Sequence, residues 1–205
     1  MLKKNIAVII LLLLLPCSFL ASNIYFSNNG FAGEREGESS ESFKNGKEIE
    51  RKWLVNLEDI PYDLSKADIF EIEQSYINFD PEIRIRKITC SETGIFYMLA
   101  VKSDISGNGL VRSEMEFYIT EENYYKLLTK KEYNTIYKTR YQIPVDNVVR
   151  AIDIFKGDLS GLVYLEIEYE SEEQAAMQES PGWVIKEVTN DRRYKNQSLA
   201  RYGIP

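Results

Sequence analysis

The chain has 205 residues, 44% of them hydrophobic, with fourteen Tyr and nine Phe, enough for one core and an extra segment. Its 25 basic and 32 acidic residues give a net charge of −7, so no overall basic field supports general nucleic-acid binding. The absence of His removes Ser/His/Asp triads, Cys/His dyads, imidazole bases and His-ligated zinc. Any metal would be held by carboxylates, which favours Mg²⁺ or Mn²⁺.

At the N-terminus, Lys3 and Lys4 precede an apolar run from Ile6 to Leu15, followed by Pro16, Cys17 and Ser18. A basic start and an apolar run of this length form the pattern of a secretory signal or an N-terminal membrane anchor, assigned to residues 1–22. The run is short for a spanning helix unless Phe19, Leu20 and Ala21 are counted. Cleavage, lipidation and retention all stay open. Ala21 could end a leader, but Phe19 then fills a position where a small residue is expected; "LLPC" at 14–17 resembles a lipoprotein box with an ill-fitting Pro16. The expected location is extracytoplasmic or membrane-anchored, reverting to cytoplasmic if the start is misassigned. Residues 23–46, rich in Asn, Gly, Ser and Glu, read as a disordered linker. The folded domain is placed at 47–205. With Cys17 in the leader, it has one cysteine, Cys90, and no disulfide within itself.

Seven segments in the domain alternate as strands do: 48–55, 82–88, 96–103, 110–119, 137–144, 149–155 and 162–170. Turn signals such as "SGNG" and "KGDLSG" separate them. Helices are predicted at 65–77 from a Ser65 cap, at 120–130 from Thr120, at 171–178 with a Ser171/Gln174 capping box, and at 196–203.

In the first strand Glu48, Glu50 and Lys52 share one face. A half-buried sheet with a solvated polar face is the ordinary explanation for such alternation. The charges are also sorted by strand, however. Arg84 with Arg86, Lys102, and Lys138 with Arg140 are purely basic, Glu166 with Glu168 purely acidic, and Arg112, Glu114 and Glu116 mixed. A solvated face has no need of such sorting. Closure into a barrel with the charges inward would give it a purpose: basic walls for phosphate and acidic walls for divalent metal.

"EIERKWLV" resembles the opening Glu-x-Glu-x-Lys signature of the CYTH superfamily, the triphosphate tunnel metalloenzymes. The likeness continues in order through "EIEQSYI", "IRIRKI", "VKS", "VRSEMEF", "KTRY", "IDIFKGDLSGLVYLEIEYESEEQA" and "WVIKEVTNDRRYKNQSLAR", covering about residues 47–203. The nearest branch is that of small single-domain bacterial proteins. The resemblance implies an α+β fold, a closed antiparallel eight-stranded β-barrel with flanking helices. It implies a linear triphosphate bound in the tunnel with Mg²⁺ or Mn²⁺. By motif, Lys52, Arg84, Arg86, Lys102, Arg112, Lys138, Arg140 and Arg193 would bind phosphate. Glu48, Glu50, Glu166 and Glu168 would hold metal, and Lys52, Glu114 and Glu116 would serve the chemistry.

Hydrolysis of inorganic tripolyphosphate is the expected activity. A class IV-type adenylate cyclase and a non-catalytic polyphosphate- or nucleotide-binding module are the alternatives. The expected partner is a small-molecule triphosphate, with membrane attachment through the N-terminal segment and no nucleic acid; no oligomeric state follows. Three positions depart from the family pattern. Ala151 stands where a Glu is frequent, removing a carboxylate from the wall; Ser75 replaces a Gly, which suggests a loop effect; and Tyr118 would be harmless facing outward.

Overall fold

The computed structural model describes residues 44–205 except 106, 108, 109 and 147. The predicted leader and residues 23–43 of the linker therefore lie outside the described residues. Among the described residues, no helix is long and apolar enough to cross a membrane.

Strand β1 (Lys44–Leu54) starts inside the segment read as linker. It is followed by β2 (Asp68–Phe79), β3 (Glu82–Cys90), β4 (Gly94–Asp104) and β5 (Val111–Ile119). Helix α1 (Glu121–Leu128) leads to β6 (Glu132–Val145), β7 (Val148–Phe155) and β8 (Val163–Glu168). Helix α2 (Glu172–Met177), the two-residue β9 (Lys186–Glu187) and α3 (Asn196–Tyr202) complete the chain. Every pairing is antiparallel, in the order β5-β4-β3-β2-β6-β7-β8-β1, and β1 also pairs with β5. That last pairing closes eight strands into a barrel and leaves β9 as an addition to β1. Closure removes the free edges that an open sheet would expose.

The predicted helix at 65–77 is a correction: from Asp68 onward it is β2. Asp63 caps only a short turn at Leu64–Lys66, accepting from Ser65 N–H. From Asp68 onward Phe70, Ile72, Gln74 and Tyr76 alternate with Ile69, Glu71, Glu73 and Ser75, and this period of two wins over the cap signal. Ser75 is likewise not in a loop. It sits in β2 where the register with β6 shifts, and its hydroxyl pairs with that of Thr135 at 2.8 Å.

The helices form where their caps predict. Thr120 accepts from Asn123 N–H, and Ser171 accepts from Gln174 N–H. Each covers an outward apolar face. Tyr124 of α1 is buried against Ile85 and Tyr97, and Ala175 of α2 packs in one cluster with Ile49 and Trp53. Trp53 is fully buried, as expected of a residue whose neighbour Lys52 points inward.

Inside the barrel the layers are sharply sorted. Tyr76, Ile136, Phe155 and Tyr164 pack with Leu199 and Ala200 of α3, forming an apolar plug. Phe70, Ile72, Ile88, Phe96 and Met98 are buried on the same inner face, as their register with Arg140, Lys138 and Arg86 requires. Charge occupies the layer between.

Candidate active site in the barrel lumen

The cross-strand register carries one inward face around the barrel. Glu48 lies opposite Arg112, Glu50 opposite Glu168, and Lys52 opposite Glu166. Lys102 lies opposite Glu82 and Glu114, while Arg140 lies opposite Asp153. Strand alternation therefore delivers to one lumen the charges that the sequence scatters over more than a hundred residues. The lumen has about 640 Å³ of empty space, open mouth included.

Lys102 Nζ donates to both oxygens of Glu48 at 2.8 Å and lies 2.7 Å from Glu114 Oε1. Lys52 Nζ is 2.8 Å from Glu166 Oε1 and 3.6 Å from Glu50 Oε1. Arg140 forms a fork onto Asp153, Nε to Oδ1 and Nη2 to Oδ2, each 2.7 Å, and also donates to Glu166. Lys138 shares Asp153. Arg84 Nη2 donates to Glu114 at 3.2 Å and reaches Glu116 at 3.4 Å, and Arg86 donates to Glu116. Arg112 Nη1 donates to Glu82 Oε2 at 3.0 Å, with its Nε 3.4 Å from Glu48 Oε2.

Buried pairs of this kind stabilise a fold poorly, because desolvation cancels much of their attraction. An apolar interior of the same shape would serve stability at least as well. The belt also leaves donors over: Arg84 Nε and Arg86 Nε are buried with no acceptor among the described residues. Unmatched guanidinium donors in a charged lumen are what an anionic ligand would satisfy.

The titration shifts follow the contacts. Burial opposes the charge on Lys52, but Glu166 and Glu50 outweigh it and raise its pKa. Burial, reinforced by Arg140, pushes Lys138 down to about 8 despite Asp153. Burial pushes Glu116 up even with Arg86 beside it, and Arg84 reinforces burial in lowering Arg86. Lys52, Arg140 and Lys138 hold Glu166 well below the usual carboxylate range, against the effect of burial.

Lys52, Arg84, Arg86, Lys102, Arg112, Lys138, Arg140, Glu48, Glu50, Glu166 and Glu168 all line the lumen, and Glu114 and Glu116 are bonded to its arginines. Arg193 is not brought in. Its side chain is 66% exposed and forks onto Asp191, which caps the same short turn. Two residues further on, Lys195 and Asn196 enter the lumen instead. Lys195 lies in no alternating pattern, so the sequence carries no signal for it. Glu82 and Asp153 also belong to the belt, and their positions two residues before Arg84 and two after Ala151 could have revealed them. Tyr118 does not face outward: it pairs with Met98 on the inner face and meets Phe96 edge-on.

No family model matches the chain. An inorganic triphosphatase from Nitrosomonas europaea is 34% identical to it over 158 residues, covering 75% of this chain and 96% of that protein. The chain belongs to the triphosphate tunnel, or CYTH, superfamily. A second inorganic triphosphatase, from Acetivibrio thermocellus, is 33% identical over 157 residues, with 76% and 94% of the two chains covered. A solved inorganic triphosphatase structure aligns at a TM-score of 0.53 and 32% identity, over 75% of this chain and 93% of that one. Against the CYTH pattern Ala151 remains the departure to account for. It is buried in the wall between Gln142 and Glu166, and Gln142 Oε1 is buried there without a donor.

Divalent metal fits this CYTH lumen by donor chemistry. Glu48, Glu50, Glu166 and Glu168 supply hard oxygens on adjoining strands, with Glu50 and Glu168 facing each other. Among the described residues no three carboxylates converge as a ready-made metal cluster. Glu48 and Glu166 are instead turned onto cations.

Proposed function

We propose that the chain hydrolyses inorganic tripolyphosphate with a divalent metal in the barrel lumen. The observation that carries the reading is the belt itself: eight cations converge on one cavity, and the cations Arg84 and Arg86 keep unmatched donors. A linear chain of phosphates can thread such a cavity and contact several walls at once. Identity of 34% and 33% to two inorganic triphosphatases supports the same substrate.

Arg84, Arg86, Lys138 and Arg140 would grip the phosphates by charge-assisted hydrogen bonds. Lys52 and Lys102 would swing from Glu166 and Glu48 to phosphate oxygens, freeing those carboxylates. Together with Glu50 and Glu168 they would hold Mg²⁺ or Mn²⁺, which when bound neutralises charge on the transferred phosphoryl group. Glu116, its pKa raised by burial, would accept a proton from the attacking water, with Glu114 beside it. No covalent intermediate is needed. The pattern at residues 1–22 supports an extracytoplasmic or membrane-anchored location, which argues against a cyclase dependent on abundant ATP.

The test uses the full chain with tripolyphosphate, thiamine triphosphate and ATP, with and without Mg²⁺ or Mn²⁺. Phosphate release is expected to be fastest from tripolyphosphate and to vanish with chelator. Glu168→Gln is expected to lose at least about a hundredfold in kcat with its fold intact, in line with loss of a metal ligand. Cyclic AMP from ATP, or tight binding without turnover, would replace the reading.

A further inference from the structure

On one side β1 is bonded to β5 only as far as Glu50, whose N–H donates to the Leu110 carbonyl at 3.2 Å. Beyond that point the segment around β9 takes over as neighbour. Ile185 N–H donates to the Leu54 carbonyl and Val188 N–H to the Lys52 carbonyl, both at 2.8 Å. At the changeover Lys52 N–H donates to a side chain, the Thr189 hydroxyl, at 3.0 Å. The hydroxyl stands where a carbonyl would stand in a continuous ladder. Having accepted from Lys52, it directs its own proton to Glu187 Oε1 at 2.7 Å.

Glu187 is held in turn from outside the barrel. Arg51 Nε donates to Oε1 at 2.9 Å and Arg51 Nη2 to Oε2 at 2.6 Å. Arg51 Nη1 donates to the carbonyls of Ala175 and Gln178, tying the group to α2. Thr189 is 4% exposed, so water competes little for the bond it accepts from Lys52, while Glu187 and Arg51 meet at the exposed outer surface. A relay thus crosses the barrel wall, from Arg51 outside to the peptide nitrogen of a lysine whose ammonium faces the lumen.

We propose that Thr189 is a positioning residue for Lys52. It fixes the peptide joining Arg51 to Lys52 at the one height where β1 changes neighbours, and so sets where the Lys52 ammonium meets its anionic partner. Val188 holds only the carbonyl side of that residue. The inference rests on the reading of Lys52 as a phosphate-binding group. It adds that this group is aimed by a threonine outside the lumen.

The experiment compares the full chain with Thr189→Val, which keeps the shape and loses the hydroxyl, and Thr189→Ser, which keeps it. Steady-state kinetics with tripolyphosphate and Mg²⁺ are read beside amide hydrogen exchange at Lys52. Thr189→Val is expected to lower kcat/KM about tenfold and to speed exchange at Lys52, while Thr189→Ser stays within about twofold of the parent. Adding Thr189→Val to Lys52→Ala is expected to cost nothing further, because no ammonium is left to aim. Wild-type kcat/KM in Thr189→Val, even with a lowered melting temperature, would overturn the proposal, as would fully additive losses in the double variant. Should Thr189→Val not fold, Thr189→Ala, which also loses the hydroxyl, takes its place, and unchanged kinetics there count against it equally. A parent chain that neither binds nor hydrolyses tripolyphosphate defeats the triphosphatase reading instead. Unchanged exchange at Lys52 in Thr189→Val still defeats the bond to Thr189.

Discussion

Lys195 follows an exposed two-arginine turn and precedes a short helix, yet its side chain lines the lumen beside Lys52. Burial, and then the like charge of Lys52, pushes its ammonium down from 10.5 to about 8, against the pull of Glu50 and Glu48. Lys138 is lowered to about 8 by burial and Arg140. Both groups lose charge as pH rises through about 8, and a polyanion is then held less well. The KM for tripolyphosphate is therefore expected to rise between pH 7 and 9, and Lys195→Arg, which stays charged, is expected to flatten part of that rise. Stability runs the other way. Both folded-state values lie below the unfolded value, so between about 8 and 10 the unfolded chain binds more protons, and these lysines make stability increase with pH. A KM that is flat across this range while stability climbs would show that neither lysine meets the substrate.

At the scale of elements the barrel separates two functions by face. On β3, Arg84 and Arg86 face the lumen while Ile85 lies under α1 with Tyr97 and Tyr124. Tyr124→Ala removes a fully buried ring and is expected to cost about 3 kcal/mol, lowering the melting temperature by roughly 6–12 °C. Because Ile85 points away from Arg84 and Arg86, KM for tripolyphosphate is expected to stay as in the parent. Thermal melts beside kinetics check this, and a raised KM at unchanged stability would mean that α1 shapes the lumen.

The same two-faced alternation explains what could be read from the sequence. Strands such as 82–90 and 148–155 show an uninterrupted period of two, and the Glu-x-Glu-x-Lys face is inward as the ordered family motifs implied, where charge sorting alone left both faces open. In β2 the inward residues Phe70, Ile72, Gln74 and Tyr76 carry no charge, so charge sorting is silent there and Ser65 suggested a helix. Lys195 was hidden for a different reason. It reaches the lumen through a turn, and a turn has no periodicity to betray which way a side chain points.

For the molecule as a whole, the belt is close to neutral before any ligand arrives. Among the described residues eight cations line it, and Glu48, Glu50, Glu82, Glu114, Glu116, Asp153, Glu166 and Glu168 stand against them. A neutral lumen exerts little net pull on a free polyanion. Tripolyphosphate alone must displace carboxylates from Lys52 and Lys102 and leave those carboxylates buried without a counter-charge, which is costly. Metal alone would need the same carboxylates while they are engaged with cations. Only the two together re-pair every group, phosphate with lysine and arginine, carboxylate with metal. Binding is therefore expected to be strongly cooperative between substrate and metal. The measurement is thermal stability of the full chain with Ca²⁺, which binds carboxylates and is expected to support turnover poorly, with tripolyphosphate, and with both. Each alone is expected to move the melting temperature by no more than about 1–2 °C. Both at a hundred times their joint dissociation constant are expected to add about 2.7 kcal/mol, or roughly 5–10 °C. A full shift from tripolyphosphate alone, in chelator, would show that the cations outweigh the carboxylates and that metal is not needed to seat the substrate.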